Sequence, residues 1–416
     1  MQSANKIQAN NPPEERTVFV FFLFCIWTFV LLCRPQDLFP VLGQIRPALT
    51  MGALTLGFVI LRLKDLPGPP LFQERQIKYF SLLLLIMIIG IPFAHHKGMA
   101  FEAVFERYLT VIIFFFLFYK LVSSVARLYK VLLIACLGNG LYSAFALINY
   151  QTGRLSFGGM FDPNDLAFFS LAFFPLNLIF IARDNPFWVR LACLSCFGTG
   201  VLLILLTGSR GGMIAFIVVA AMLLLLKTQT IKLFLKAVFV VMCVVFVSFS
   251  PIDTERYKTI LALEDDYNIE GHGGRIDLWK FGLKAMLENP LTGVGVNGYS
   301  RALGYDRMER EAETLRWQAP HNSVVQIGAE TGIFGLALFL LLSGNVVRIL
   351  NSAKKKASQQ RLVKIGEMGM IGFAGLFISG FFLSHGYSFY FAFYFAISAV
   401  VSQLLVKEQN PAPNQA

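Results

Sequence analysis

Charge is what this 416-residue chain has least of: only 15% of its residues are Asp, Glu, Lys or Arg, against about 25% in an ordinary soluble domain. The deficit excludes a soluble enzyme of this length and leaves a polytopic membrane protein. The 56% hydrophobic fraction and the 42 phenylalanines agree. Strict alternation of apolar and polar residues is missing from the apolar runs, which excludes a transmembrane β-barrel. No P-loop or dinucleotide-binding unit is present. Gly293-x-Gly295-x-x-Gly298 has the letters of the latter, but no strand–helix–strand pattern surrounds it, and it reads as a tight loop. No basic, aromatic-interleaved soluble domain exists, so no nucleic-acid partner is expected. The six cysteines all fall in or at the ends of apolar segments, so no disulfide framework is implied. Cys193 and Cys196 form a C-x-x-C inside an apolar run and read as small apolar residues one turn apart. The first apolar run has Glu14 and Glu15 beside Arg16, and Cys33-Arg34-Pro35 offers no small-residue cleavage site, so it reads as a retained helix.

What is present is a series of apolar runs, each long enough to be weighed against the roughly 17–25 residues that span a bilayer. About twelve are expected, over 17–33, 47–63, 77–94, 105–122, 129–150, 165–182, 187–207, 212–226, 231–250, 324–347, 367–384 and 387–405. The segment 165–182 contains Pro175, and 212–226 is short. Lys and Arg crowd one set of connections, among them Arg62, Lys64, Lys227, Lys232, Lys354, Lys355, Lys356 and Arg361, while the other set has few. That bias places both termini in the cytoplasm. The expected organisation is a cytoplasmic tail over 1–16, nine membrane helices over 17–250, one large external loop over 251–322, three more helices over 323–406 and a cytoplasmic tail over 407–416. All five histidines then fall on the external side.

The outer loop is the only long polar stretch. It contains the acidic run Glu264-Asp265-Asp266, which reads as a solvated face, and then Gly271-His272-Gly273-Gly274. Arg275 to Glu288 reads as an amphipathic helix with Ile276, Trp279, Leu283 and Met286 or Leu287 at helical spacing, stopped by Asn289-Pro290. Arg301 to Arg316 reads as a charge-mixed helical stretch. The loop ends in Pro320-His321-Asn322 where the next apolar helix begins.

Several side chains are candidates for chemistry. His321 stands at a helix N-terminus, with Asn322 and Ser323 as capping residues. The positive end of that helix disfavours imidazolium and suits a neutral general base; an interfacial histidine bonded to a loop carbonyl is the structural alternative. Arg210, in Thr207-Gly208-Ser209-Arg210-Gly211-Gly212, lies too near hydrocarbon to be without a partner or an aqueous cavity. It reads as an anion-binding turn or as a snorkelling arginine. Arg275 opens its helix where a cation is disfavoured and asks for a negative partner, either an acidic side chain of the loop or a phosphate. Phe161-Asp162-Pro163-Asn164-Asp165 opens the sixth segment: Asn164 or Asp165 reads as its cap, or the stretch as a polar wall of the same cavity. Glu330, set inside the tenth segment, reads as facing that cavity or pairing with an arginine.

His321-Asn322 followed by Glu330-Thr331-Gly332-Ile333-Phe334-Gly335 resembles the H-[NS]…E-x-G-x-x-G signature of the O-antigen ligase family, which also holds O-antigen polymerases and bacterial protein O-oligosaccharyltransferases. Ser209-Arg210-Gly211-Gly212, Gly274-Arg275 with Trp279, and Asp162-Pro163-Asn164 resemble further elements of that family. The resemblance implies an all-α, GT-C-like transferase of the bacterial inner membrane whose site faces the periplasm and needs no metal or other cofactor. The donor it implies is a glycan on undecaprenyl diphosphate, and the acceptor is a hydroxyl of lipid A–core, of another glycan or of a protein. Arg210 and Arg275 would hold the diphosphate, and His321 would take the acceptor proton. Asn322, Asn164, Asp162 and Glu330 would line the substrate site. A transporter or flippase is the rival class; it would place ionisable groups or broken helices near the middle of the membrane and often repeat its halves, whereas here the polar residues are concentrated outside.

Overall fold

A computed structural model describes residues 13–67, 70–159, 161–226, 274–310 and 317–410. Among them there is no strand, and thirteen helices carry the architecture: α1 (Val18–Cys33), α2 (Pro47–Leu61), α3 (Arg75–Gly90), α4 (Leu109–Leu121), α5 (Val125–Ile148), α6 (Pro163–Phe173), α7 (Phe187–Leu206), α8 (Arg210–Leu224), α9 (Arg275–Glu288), α10 (Tyr299–Glu309), α11 (Ser323–Lys356), α12 (Gln360–Gly380) and α13 (Phe389–Gln409). Six are long and apolar enough to cross a membrane (α3 with the turn that follows it, α5, α7, α11, α12 and α13), and α1, α2 and α8 are shorter apolar helices. The chain is therefore a multi-pass membrane protein. Helical structure stands at every expected segment that falls among the described residues. The expected segment 231–250 lies outside them, as do Glu264-Asp265-Asp266 and Gly271-His272-Gly273 of the outer loop.

The segment expected over 165–182 is not one continuous α-helix. α6 ends at Phe173 and continues as a 3-10 helix, Phe174–Ile179. Pro175 lacks the N–H that the α-helical ladder needs, and its ring crowds the carbonyl one turn back. The segment expected over 105–122 likewise opens with a π-helical turn, Ala103–Arg107, before α4 begins.

α13 is the centre of the bundle, buried over 78% of its apolar window. A helix that is hydrophobic all round belongs in such a position. Phe393 lies against Phe114 and Phe118 of α4 and Phe173 of α6, while Phe391 and Phe395 face Phe339 of α11. Lipid is as apolar as these rings, so close fit rather than exclusion from solvent holds such helices together. α12 shows the device plainly. Its glycines recur every third residue, with Gly366 against the backbone of Leu350, Gly372 against the Tyr394 hydroxyl and Gly375 against Val219.

A few polar contacts lie inside the bundle, such as Ser170 Oγ to Gly200 O and Tyr394 to Ala172 O, and many others gather at its two ends. At one end Arg127 donates to Thr17 Oγ1 at 3.0 Å, Lys407 donates to the Ser123 carbonyl at 3.0 Å, and Lys354 pairs with Glu367 at 3.2 Å. These include residues of the basic, expected cytoplasmic set. At the other end gather the turns 34–37, 153–162, 207–211, 290–298, 320–322 and 381–388, joined by contacts such as Leu155 N to Leu206 O, His95 N to Val294 O and His321 N to Ser384 Oγ. Every candidate residue lies in or beside one of these turns, Glu330 beneath 290–298.

The turn 290–298 is built into α11. Gly332 leaves the helical conformation at φ 71° and ψ −171°, a backbone region open only to glycine. The kink admits the turn: Ile333 N donates to Pro290 O and Val294 N to Ala329 O, each at 2.8 Å. Gly293, Gly295 and Asn297 all have positive φ, so the Gly293-x-Gly295-x-x-Gly298 run is the tight loop the sequence suggests. A Cβ on Gly332 would stand 2.3 Å from Pro290 O. Gly332→Ala should therefore destabilise by about 1–3 kcal/mol or more, read as a lower thermal midpoint in detergent. Gly344→Ala on the same helix, where nothing lies within 4 Å of the added carbon, should leave the midpoint unchanged or raised.

Candidate active site

The turn 381–388 between α12 and α13 organises the polar end. It is buttoned to the first turn of α11: the Ser323 hydroxyl donates to Leu383 O at 2.8 Å and accepts from His385 N at 3.1 Å, and Gly386 N donates to Gln326 Oε1 at 3.1 Å. Three motifs far apart in sequence converge on it. The Phe382 ring packs on Gly211, next to Arg210, so closely that a Cβ there would come within 2.6 Å of it. The Arg275 guanidinium carbon stands 5.6 Å from the centre of the same ring. The His321 backbone N–H donates to the Ser384 hydroxyl at 2.9 Å.

His321 is held in the left-handed region at φ 47°. That conformation costs an L-residue about 1–2 kcal/mol, and it is fixed from both sides. The Trp279 indole of α9 donates to Pro320 O at 3.1 Å, and Asn322 caps α11 by accepting from Val324 N and Val325 N at 2.9 and 3.1 Å. A cap of this kind is worth about 1 kcal/mol. The residue is exposed, yet enough protein surrounds the imidazole that desolvation, with Arg275 second, pushes its pKa below the ordinary 6.5; Asp162 and Asp165 pull the other way. The lowered pKa agrees in direction with the sequence expectation, with burial and Arg275 as its causes. The result is a neutral imidazole at ordinary pH, able to accept a proton.

The wall contributed by α6 is more ordered than the sequence suggests. Asp162, not Asn164 or Asp165, is the N-cap: its Oδ1 accepts from Asn164 N at 2.7 Å and Asp165 N at 2.9 Å. Asp165 returns a bond from Asp162 N at 3.3 Å, completing a capping box. Asn164 Oδ1 accepts from Arg154 Nη2 at 3.0 Å, and Arg154 Nε donates to Thr207 O at 2.9 Å. Arg154 thereby ties the α6 cap to the Arg210 turn. Ser209 caps α8, its hydroxyl accepting from Gly212 N at 3.1 Å. Arg210 is half-buried at the first position of that helix.

Glu330 is not brought to this wall. It is 3% exposed, and its carboxylate accepts from Asn297 N at 2.9 Å and Tyr299 N at 3.3 Å. It anchors the 290–298 turn and the start of α10 instead of pairing with an arginine. The buried stripe of α9 also differs from expectation. Leu278, Gly282 and Ala285 are buried, while Ile276, Leu283 and Leu287 are exposed. Small residues win that face because Gly282 lies against Val325 of α11 and Tyr299 of α10, and the Tyr299 hydroxyl donates to Leu278 O. The stretch read as helical over 301–316 forms α10 as far as Glu309, and 311–316 lie outside the described residues.

His385, Ser384 and Arg154 were not singled out by motif. His385 Nε2 is 2.7 Å from Asp165 Oδ1, and its ring stacks on Phe168 with centroids 4.8 Å apart. The sequence signal was slight: one of several histidines on the external side, next to a glycine between two apolar runs.

The helices define a multi-pass membrane protein, and its histidine- and arginine-bearing turns gather at one end of the bundle. Residues 195–340 match the family described as O-antigen ligase. The match supports assignment to the O-antigen ligase family and a membrane glycosyl-transfer function of ligase or polymerase type. It spans Arg210, Arg275, His321, Asn322 and Glu330, but not the α6 cap or the turn 381–388. No curated protein matches the chain.

Site-resolved diethylpyrocarbonate modification, which needs neutral imidazole, should show His321 titrating below 6.5. Arg275→Gln removes a positive neighbour, so the midpoint should move to higher pH.

Proposed function

We propose that this chain transfers a glycan from undecaprenyl diphosphate to an acceptor hydroxyl at the periplasmic face of a bacterial inner membrane, as an O-antigen ligase does. The observation that carries the reading is the convergence of the Arg210 turn, Arg275 and His321 on two residues of one turn, Phe382 and Ser384. In this reading the bundle is GT-C-like with about twelve spans, and the basic end faces the cytoplasm. The family match supports the class of reaction; the donor, the residue roles and the orientation are the proposal.

The chemistry follows from the residue types. The acceptor oxygen attacks the anomeric carbon of the donor's first sugar, and the bond from that carbon to the diphosphate oxygen breaks. His321 takes the acceptor proton, and the lipid diphosphate leaves with the bonding electron pair. Arg210 and Arg275 offer planar, permanently charged donors that suit phosphate oxygens. Fixed cations beside a low-dielectric bundle stabilise charge that grows in the transition state more than they would in water. The diphosphate is already an activated leaving group, and the two guanidiniums take the neutralising role that a metal ion has in other transferases. Asp162, Asn164 and Asn322 shape the wall between these groups, and Glu330 supports it from behind.

The test is transfer in proteoliposomes from a lipid-linked donor to lipid A–core, to a second lipid-linked glycan and to a pilin-like protein. His321→Ala should lower the rate by about 10²–10⁴-fold with folded yield and donor binding retained. Arg210→Ala and Arg275→Ala should weaken donor binding as well as rate, and a chelator should have no effect. Unchanged transfer in His321→Ala, or a block in export of the lipid-linked donor in its place, contradicts the reading.

A further inference from the structure

Resting on that reading, we infer that Asp165 and His385 form a positioning pair for His321, clamping the start of α6 to the turn 381–388 so that the Ser384 hydroxyl holds the histidine backbone in place. The geometry has three links. His385 Nε2 and Asp165 Oδ1 are 2.7 Å apart, which joins two segments 220 residues apart in sequence. The His385 ring stacks on Phe168, one turn into α6, with an interplanar angle of 20°. Its side chain is thus fixed from two directions by the same helix. Its backbone N–H meets Ser323 Oγ, and the neighbouring Ser384 hydroxyl receives His321 N–H. Movement of His385 is transmitted through one peptide unit to the contact that holds His321.

This arrangement is more than a helix–turn staple. His321 occupies a left-handed backbone conformation, which an unsupported residue would leave for a lower-energy one. Ser384 is the hydrogen-bond acceptor for its backbone N–H. The charged groups that act on the His321 imidazole are Arg275 from α9, which opposes its protonation, and Asp162 and Asp165 from α6, which favour it. One carboxylate therefore both positions the turn and contributes to the field at the base. Asp165 has a second bond, from Asp162 N, so its own position is fixed by the cap of α6.

The substitution Asp165→Asn keeps size and an oxygen that can accept from His385, and removes the charge. His385→Gln keeps a donor and removes the ring; Ser384→Ala removes the acceptor for His321 N–H. In single-turnover transfer from the lipid-linked donor, normalised to folded protein, each should lower the rate about 10-fold or more with donor affinity unchanged. The rate depends on neutral His321, so it falls as pH drops through the histidine's pKa. Asp165→Asn removes a negative neighbour, lowers that pKa and should move the acid limb to lower pH. Unchanged rates and an unmoved acid limb in Asp165→Asn and His385→Gln overturn the inference. So does a loss confined to folded yield, which marks a purely structural staple. His321→Ala separates the two levels: if it too transfers at the normal rate, the proposed function itself fails, whereas its loss beside normal Asp165 and His385 variants defeats the positioning role alone.

Discussion

The Ser323 hydroxyl is the joint on which the polar end of this protein depends. It donates to Leu383 O and accepts from His385 N, so the first turn of α11 and the turn between α12 and α13 form one unit. Everything proposed for the site is referred to that unit. Phe382 meets the Arg210 turn and Arg275, Ser384 holds His321, and His385 reaches Asp165. The hydroxyl is fully buried, where an unmade hydrogen bond would cost about 1–3 kcal/mol. Both of its bonds are therefore constraints rather than options.

The rest of the bundle draws its rigidity mainly from close packing, with a few buried polar contacts such as Gln76 to Ser398 and Ser170 to Gly200 O. α13 is enclosed by aromatic rings, and α12 approaches its neighbours through a glycine stripe. Such packing has to come from shape, because the lipid offers apolar side chains no penalty to escape. Irregular backbone occurs where protein covers it: the Gly332 kink lies under the turn 290–298, and the 3-10 turn at Pro175 is buried against α7 and α12. Non-helical backbone at membrane depth is tolerated only under such cover or beside water.

Much of this was legible in the sequence, for reasons that differ from residue to residue. The helices were visible because apolar runs near bilayer length have few other interpretations. α9 was visible through its glycine start and Asn289-Pro290 stop, and it spans the expected Arg275 to Glu288. Its buried face was not, because the helical spacing of Ile276, Trp279, Leu283 and Met286 or Leu287 pointed elsewhere, while the close approach of α11 selects Gly282 and Ala285. The cap of α6 lies two or three residues before the expected Asn164 or Asp165, since Asp162, Asn164 and Asp165 are all capping residues and only the fold chooses among them. Glu330 was recognised as unusual, but its partners are the backbone N–H groups of Asn297 and Tyr299, which no side-chain pattern announces. His385 was passed over because its meaning lies in Asp165, 220 residues away, and no local pattern carries that pairing.

The central claim is that neutral His321 removes the acceptor proton. Its most direct test is the pH dependence of single-turnover glycan transfer by the unsubstituted protein in proteoliposomes, with donor saturating. The account predicts a rate that falls on acidification with an apparent pKa below 6.5, and a residual rate in His321→Gln that no longer shows this fall. A rate that stays flat through that range, or an acid limb that persists in His321→Gln, would contradict it.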